Sequence, residues 1–126
     1  MIDFIENFVT AVKQQDSRNK FIYSTKQIFC NPINLLYNKW QPDDVEIVFK
    51  DLTAIHFYPP DKFDILLEEY SFSESGITVF ASWEGDPILI KNDKIYIAIH
   101  GAGSYIIDKE FISLQSFLEW IIQNMK

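Results

Sequence analysis

Side chains that can act as acids, bases or metal ligands are sparse in this sequence. Its two histidines, His56 and His100, stand 44 positions apart, whereas a helical two-histidine metal site needs them four apart on one face. One catalytic or metal-binding combination remains, in which His100 works with the carboxylates of Glu84 and Asp86. It requires the turn at Gly85 and the turn after His100 to lie at the same end of a sheet, which the sequence leaves open.

Other reactive motifs are incomplete. The segment Gly101-Ala102-Gly103-Ser104 lacks the spacing of a nucleophile elbow and the Lys-Ser/Thr pair of a phosphate loop, so we expect a flexible loop. Cys30 is the only cysteine in the sequence. No base is placed beside it, so we expect a small buried hydrophobe. His56 alternates with Ile55 and Phe57 and is expected to face solvent or bond the backbone. We predict no catalytic residue, no cofactor and no metal.

Negative charge is concentrated in one segment. The net charge is −7, yet residues 41–90 hold eleven of the 18 acids and two of the 11 bases, a net −9 that leaves +2 elsewhere. Such a field repels nucleic acid and anionic membranes and attracts a basic protein. The alternative is an acidic surface that only keeps the protein soluble. The candidate partner-binding residues are Asp43, Asp44, Glu68, Glu69, Trp83, Glu84 and Asp86.

The rest of the sequence must build the framework that carries these residues. Hydrophobic residues make up 48% and aromatic residues 16% of the 126 positions, enough for one packed core. No repeat or Gly/Ser linker marks a boundary, so we predict a single domain over residues 1–126. No apolar run approaches the ~20 residues of a membrane span. The acidic start lacks the basic region of a secretion signal, so the expected compartment is the cytoplasm.

The spacing of apolar residues predicts the helices. The first covers residues 2–15, and another follows Asp61 as its cap and ends near Tyr70. Residues 20–40 are ambiguous: residues 21–23 fit a short strand, and a helix fits from Pro32 with Asn31 as its N-cap. The last helix, residues 113–125, has an apolar stripe made of Leu114, Phe117, Leu118, Ile121, Ile122 and Met125.

Short apolar runs bounded by turn residues predict the strands. Residues 45–49 and 52–58 flank Lys50-Asp51 as a hairpin. Residues 77–81 precede the Gly85 turn, and apolar runs ending at Ile90 and covering Ile95–Ile99 flank a turn at residues 91–94. Two tight turns therefore lie in the second half of the chain.

The residues around Gly85 allow two interpretations. In the first, Trp83 packs, Gly85 takes a positive φ, and Asp86 bonds amides of the turn. In the second, Trp83, Glu84 and Asp86 form an exposed recognition edge, because tryptophan is a frequent hot-spot residue in interfaces.

The second half of the chain also has a characteristic order of motifs. Gly85-Asp86 precedes a strand, the strand Ile95–Ile99 leads to His100, and the final helix carries Ser116-Phe117. Over residues 77–122 this order resembles the C-terminal half of the SUKH superfamily, with Gly85, Asp86, His100 and Phe117 as the motif residues. The resemblance implies an α+β domain without catalytic residues. Many bacterial members are immunity proteins that neutralise a polymorphic toxin, and a yeast member regulates cell-wall synthesis.

We therefore predict an α+β domain with a mixed or antiparallel sheet of about five to six strands and N- and C-terminal helices packed on it. The predicted function is non-enzymatic protein binding, with toxin neutralisation as the sharpest form and a basic toxin domain as the partner. The alternatives are a regulatory or scaffolding domain with an endogenous partner, and a small hydrolase or ligand-binding protein that uses His100 and Asp86.

Overall fold

Six strands that follow one another along the chain form an antiparallel sheet in which strand order equals chain order. The computed structural model describes residues 3–23, 32–72, 76–101 and 104–126, and only the backbone of residues 100, 101, 104 and 105. Cys30, Asn31 and Gly103 lie outside the described residues. The strands are β1 (Phe21–Tyr23), β2 (Trp40–Pro42), β3 (Val45–Val48), β4 (Ala54–Phe57), β5 (Thr78–Trp83), β6 (Asp86–Lys91), β7 (Lys94–Gly101) and β8 (Ser104–Phe111). Strands β3 to β8 form the sheet, and β1 and β2 form a separate ribbon.

The helices lie at both ends of the chain and between strands. They are α1 (Phe4–Gln15), α2 (Asn34–Tyr37), α3 (Phe63–Glu69) and α4 (Leu114–Asn124), with a 3₁₀ turn at Pro60–Lys62 before α3. None of the described helices is long and apolar enough to cross a membrane. The predicted α+β architecture with N- and C-terminal helices is confirmed, and the sheet is antiparallel.

Helices α1 and α4 pack on one side of the sheet, which we call the first face. Alternate strand residues point toward them because successive side chains of a strand point to opposite faces. Helix α4 buries four residues of its predicted stripe: Leu114, Phe117, Leu118 and Ile121. The Phe117 ring is fully buried, with centroids 6.2 Å from Phe57 and 5.9 Å from Phe80. The main core therefore lies between the first face and the terminal helices.

The short helix α3 packs on the opposite side, the second face. Its Leu66 contacts apolar residues of β5, β6 and β7, namely Val79, Leu89 and Ala98. Its Phe63 reaches the main core, where the ring lies 5.4 Å from that of Tyr37. A helix of seven residues is not stable alone in water, so these contacts hold it in place.

Two hairpin turns have the backbone that the sequence predicts. Glu84 and Gly85 have φ angles of 49° and 87°, and Asn92 and Asp93 have 52° and 63°. Two successive positive φ angles between paired strands indicate a type I′ turn, whose twist matches the flanking strands. A Cβ at Gly85 would meet no atom within 4 Å, so the backbone angle, and not lack of space, favours glycine there.

The hairpin between β3 and β4 is confirmed, but its turn is longer than Lys50-Asp51. It spans residues 49–53, with Leu52 at a φ of 70°. Phe49 donates its backbone N–H to the Thr53 carbonyl at 2.8 Å within the hairpin, and it also forms a β-bridge with Met125 after α4. Lys50 also donates its backbone N–H to the carbonyl of Asn124, at 2.9 Å. Contact with the C-terminus overrides the short turn.

Helix boundaries also differ from those predicted. Helix α1 begins at Phe4, where the Asp3 carboxylate accepts a bond from the backbone of Ile5 at 2.9 Å. Helix α2 begins at Asn34, after Pro32. Asp61 does not cap α3, because it lies inside the 3₁₀ turn that precedes the helix.

Strand β8 lies where the sequence predicts a loop after His100. It pairs with β7 from Ile95–Phe111 to Gly101–Ser104, and Asp108 is the extra residue at a bulge. A bulge interrupts the alternation of apolar and polar residues by which a strand is recognised. The charged run 108–110 occupies the interrupted stretch, so the pattern of a strand is lost there.

The outer edge of β3 is closed by side-chain amides. Gln15 donates to the Val48 carbonyl at 2.7 Å and accepts from the Val48 N–H at 2.9 Å. Asn19 accepts from the Glu46 N–H at 2.9 Å while its amide nitrogen donates to the Val12 carbonyl. These amides, together with the Lys126 N–H that bonds the Val48 carbonyl at 3.0 Å, occupy the positions that a neighbouring strand would take.

We expect Phe117→Asp to abolish soluble expression, because it places a carboxylate in the fully buried aromatic core. Gln115→Asp is the control, since Gln115 is exposed in the first turn of α4, where an acid is favourable. Soluble yield and circular dichroism measure both. A normal melting curve for Phe117→Asp would show that α4 is peripheral to the fold.

Replacing Gln15 with leucine tests the closed edge of β3. The change leaves the Val48 N–H without its acceptor, which costs about 1–3 kcal/mol, whereas the Val48 carbonyl keeps the bond from the Lys126 N–H at 3.0 Å. Gln14→Leu is the matched control, since Gln14 is exposed and adjacent. Chemical denaturation gives both free energies of unfolding. Equal values for the two variants would contradict a role for the Gln15 amide.

Candidate functional site

Helix α3 presents a row of carboxylates to solvent. Burial of Phe63 and Leu66 turns the acidic positions of the helix outward. Asp64, Glu68 and Glu69 are exposed, as is Asp61 in the preceding 3₁₀ turn. With the acids at the two ends of α3 they form a surface that we call the acidic ridge: Asp43, Asp44, Asp61, Asp64, Glu68, Glu69, Glu84 and Asp86.

The ridge begins at the turn between β2 and β3. Asp43 and Asp44 share a groove of about 440 Å³ with Asp61 and Lys62. Asp43 lies 3.9 Å from the Lys20 ammonium, at the limit of an ion pair. Asp44 has a φ of 60°, a conformation that Asp tolerates better than most residues. Two of the sequence-predicted partner-binding residues are thus adjacent to the start of α3.

The ridge ends at the Glu84–Gly85 turn. The Tyr70 hydroxyl donates to the Gly85 carbonyl at 2.7 Å, which ties the end of α3 to the turn. Burial raises the pKa of Tyr70, and the neighbouring Tyr58, Asp86 and Glu69 raise it further. The charges of Glu69 and Asp86 thus both act on the Tyr70 phenol, and α3 connects two groups of acids that lie at opposite ends of the sheet.

Carboxylates along α3 differ from those elsewhere in their pairing. In the part of the chain that the structure describes, no ion pair is formed by Asp61, Asp64, Glu68, Glu69 or Asp86. In contrast, Asp16 binds Arg18 at 2.7 Å, and this partner lowers the pKa of Asp16 to about 2. Glu6 binds Lys39 at 2.7 Å, which lowers the pKa of Glu6. Most of the ridge therefore carries uncompensated charge.

Glu84 and Asp86 have different roles at the turn. The Glu84 carboxylate accepts from the Ala54 N–H at 3.1 Å, so it is held beside β4. The Asp86 carboxylate makes no hydrogen bond to any described residue, contrary to the prediction that it would bond turn amides. Asp86 already lies in β6, opposite Trp83, and the turn is held by strand pairing and by Tyr70.

Trp83 packs toward the first face, although its strand partner is Asp86 of the ridge. Its indole N–H donates to the Thr53 hydroxyl at 2.8 Å, and its ring lies 5.6 Å from Trp120 on the first face. The Lys109 ammonium lies 5.9 Å from both indole rings, within the range of a cation–π contact. Trp83 therefore packs, as the first interpretation of the turn expects.

His56 lies in β4 and His100 in β7, with β5 and β6 between them. Strands β6 and β7 pair antiparallel with Ile88 opposite Ile97, so the Gly85 turn and the end of β7 at His100 share one end of the sheet. The His100 side chain lies outside the described residues, so a site built from His100 and Asp86 stays a prediction. Among described residues no three His, Cys, Asp or Glu are placed to hold a metal ion together.

His56 does not behave as expected. Its ring lies against that of Tyr58, with centroids 4.5 Å apart and a tilt of 33°, and its side chain is 33% exposed. Its buried Nε2 makes no hydrogen bond to any described residue. Asp44 lies 3.5 Å away, which is an ion pair only when the ring is protonated. His56 is thus neither fully exposed nor bonded to the backbone.

Asp86→Asn is expected to lower the pKa of Tyr70, because a negative charge that disfavours the phenolate is removed. Glu69→Gln should act in the same direction. Asp43→Asn, at the far end of the ridge, is the control and should leave the pKa of Tyr70 unchanged. The ¹³Cζ chemical shift of labelled tyrosine followed against pH measures it. An equal shift from all three variants would show that the charges do not converge on Tyr70.

Similarity to known proteins gives no further guide. No protein-family model matches this chain, and searches of curated proteins and of solved structures give no significant match. The resemblance of residues 77–122 to the SUKH superfamily therefore stays a prediction.

Proposed function

We propose that the chain is a non-enzymatic, cytoplasmic protein-binding domain whose acidic ridge binds a basic protein, and not nucleic acid or a membrane. In its sharpest form it is an immunity protein that neutralises a toxin. The observation that carries this proposal is the row of carboxylates along α3, which form no ion pair with any described residue while Asp16 and Glu6 elsewhere are paired.

Folding alone does not account for the acids of α3. Glu68 and Glu69 lie in the last turn of the helix, where the macrodipole disfavours negative charge. Asp64 and Glu68 are four positions apart, and a like-charge pair at that spacing destabilises a helix by about 0.2–0.5 kcal/mol. Several acids on a seven-residue helix thus oppose its stability, whereas binding to a cationic surface would use all of them.

The SUKH resemblance agrees with this proposal. Many toxin domains attack nucleic acid and are basic. Such a domain has a surface that binds negative charge, and the carboxylates of the ridge supply that charge. Complementary charge raises association rates by about 10–1,000-fold at low salt. A regulatory or scaffolding role with an endogenous basic partner would use the same surface.

An enzyme or small-ligand function is the second candidate. It rests on one observation, the shared end of the sheet for the Gly85 turn and the backbone of His100. Native mass spectrometry of the purified chain separates the two candidates, because a retained ion or small molecule that is lost in Asp86→Asn would favour the ligand site.

The Glu68→Lys/Glu69→Lys variant tests the ridge. We expect it to capture at least about tenfold less partner than the wild type from extracts of the source cells at about 50 mM salt. Capture by the wild type should fall at about 500 mM salt, because screening weakens exposed charge pairs. Quantitative mass spectrometry identifies and measures the captured proteins.

A variant with the same charge change elsewhere is the control. Glu110→Lys/Glu119→Lys also raises the net charge of the chain by four, on exposed positions of β8 and α4, and should capture the partner normally. Equal loss in both variants would show that only net charge matters. Unchanged capture by the Glu68/Glu69 variant would reduce the ridge to a solubilising surface. For the immunity form, co-expression with the toxin encoded beside it should restore growth only when the ridge is intact.

A further inference from the structure

The two edges of the sheet differ in a way that the acidic ridge does not explain. The β3 edge is closed by Gln15 and Asn19. At the other edge, β8 pairs with β7 on one side, and no described residue pairs with its outer side. An eight-residue edge strand with free backbone groups is a template for adding another strand.

Exposed isoleucines are concentrated at this open edge. Ile106 and Ile107 of β8 are 69% and 44% exposed, and Ile99 of β7 is 48% exposed. Ile99 and Ile106 are directly paired across the two strands, so their side chains lie side by side on one face. Clusters of exposed apolar side chains commonly mark contact surfaces.

We propose that the segment 104–108 of β8 pairs antiparallel with the same segment of a second copy about a twofold axis. The two six-stranded sheets then continue into one. In this register Ile106 faces Ile106 of the second copy, and the row Ile99–Ile106–Ile106–Ile99 crosses the junction on one face. The bulge at Asp108 ends the regular pairing, since it interrupts the ladder.

The register follows from symmetry and charge. A twofold axis perpendicular to the sheet pairs residues that point to the same face, so only every second register is allowed. Centring on Ile106 places Asp108 opposite the backbone of Ser104. If the axis passed instead at Asp108 or at Lys109, that residue would face the same residue of the second copy, and two like charges would destabilise the pair. An axis at Ile107 would place the apolar Ile106 of one copy opposite the charged Asp108 of the other.

Charge also favours a second copy over a basic protein at this edge. Residues 94–126 carry three lysines and three acids, a net charge of zero: Lys94, Lys109, Lys126, Asp108, Glu110 and Glu119. The edge therefore neither attracts a cationic partner nor repels another copy of an acidic chain. The ridges lie on α3 and the strand ends next to it, so pairing through β8 leaves both ridges free.

The contact is small, so the dimer should be reversible. A single pair of short strands with a few isoleucines buries less than the ~1,200 Å² typical of stable complexes. We expect the weight-average mass of the wild type to rise toward that of a dimer as its concentration increases from about 10 to about 500 µM. Sedimentation equilibrium measures this rise.

Ile106→Lys should keep the chain monomeric over the same range, with a dimer dissociation constant raised at least about tenfold, because two lysines face each other at the axis. Ile112→Lys is the matched control, because Ile112 is also exposed, at 75%, but lies outside the paired segment. This variant should dimerise like the wild type. Circular dichroism confirms that both variants fold.

A charge swap tests the register. Ile106→Lys mixed with Ile106→Glu should restore a dimer, since the two residues meet only when Ile106 faces Ile106. The proposal is overturned if the wild type stays monomeric at all concentrations. It is also overturned if Ile106→Lys still dimerises, or if mixing the Lys and Glu variants does not restore association. A monomer whose capture of a protein partner depends on Ile106 assigns the edge to that partner instead. Because the ridge is not involved, each of these outcomes leaves the proposed function standing.

Discussion

The burial of Phe117 against the sheet is the contact on which the rest of the structure depends. Its ring is fully buried beside Phe57 and Phe80 and holds α4 along the first face next to α1. With that face filled, the second face is left to α3, which is held by the buried side chains of Phe63 and Leu66. A helix so short leaves most of its surface in solvent, and in this chain that surface is acidic. The candidate site is therefore a consequence of how the core is divided between the two faces.

The parts of the fold that the sequence predicts are those fixed by local rules. Helix α4 follows from the spacing of its apolar residues, and the type I′ turns form at residues such as Gly85 that accept a positive φ. The parts that it misses depend on distant contacts. Gln15 bonds to a strand 33 positions away, and Phe49 forms a β-bridge with Met125 beyond α4. No local pattern signals either contact, and β8 is hidden by its own bulge at Asp108.

The candidate site shows the same division. The excess of acids in residues 41–90 is visible in the sequence, but their alignment along α3 depends on the bond from Tyr70 to Gly85. Trp83 shows the opposite outcome. It stands next to Glu84 in sequence, yet strand alternation turns its indole to the first face, toward Trp120. Glu84 lies in the turn just beyond the end of β5, so two residues adjacent in sequence can belong to different surfaces, and a recognition edge cannot be derived from sequence proximity alone.

Strand order converts the charge asymmetry of the sequence into an asymmetry of the molecule. When each strand pairs with its neighbours in sequence, segments that are close along the chain stay close in space. The acid-rich residues 41–90 therefore form β3 to β6 together with α3, and the neutral residues 94–126 form β7, β8 and α4. A crossover connection would have mixed the two groups. The closed edge lies on the acidic side and the open edge on the neutral side. The surface proposed for a basic protein and the edge proposed for a second copy are therefore separate.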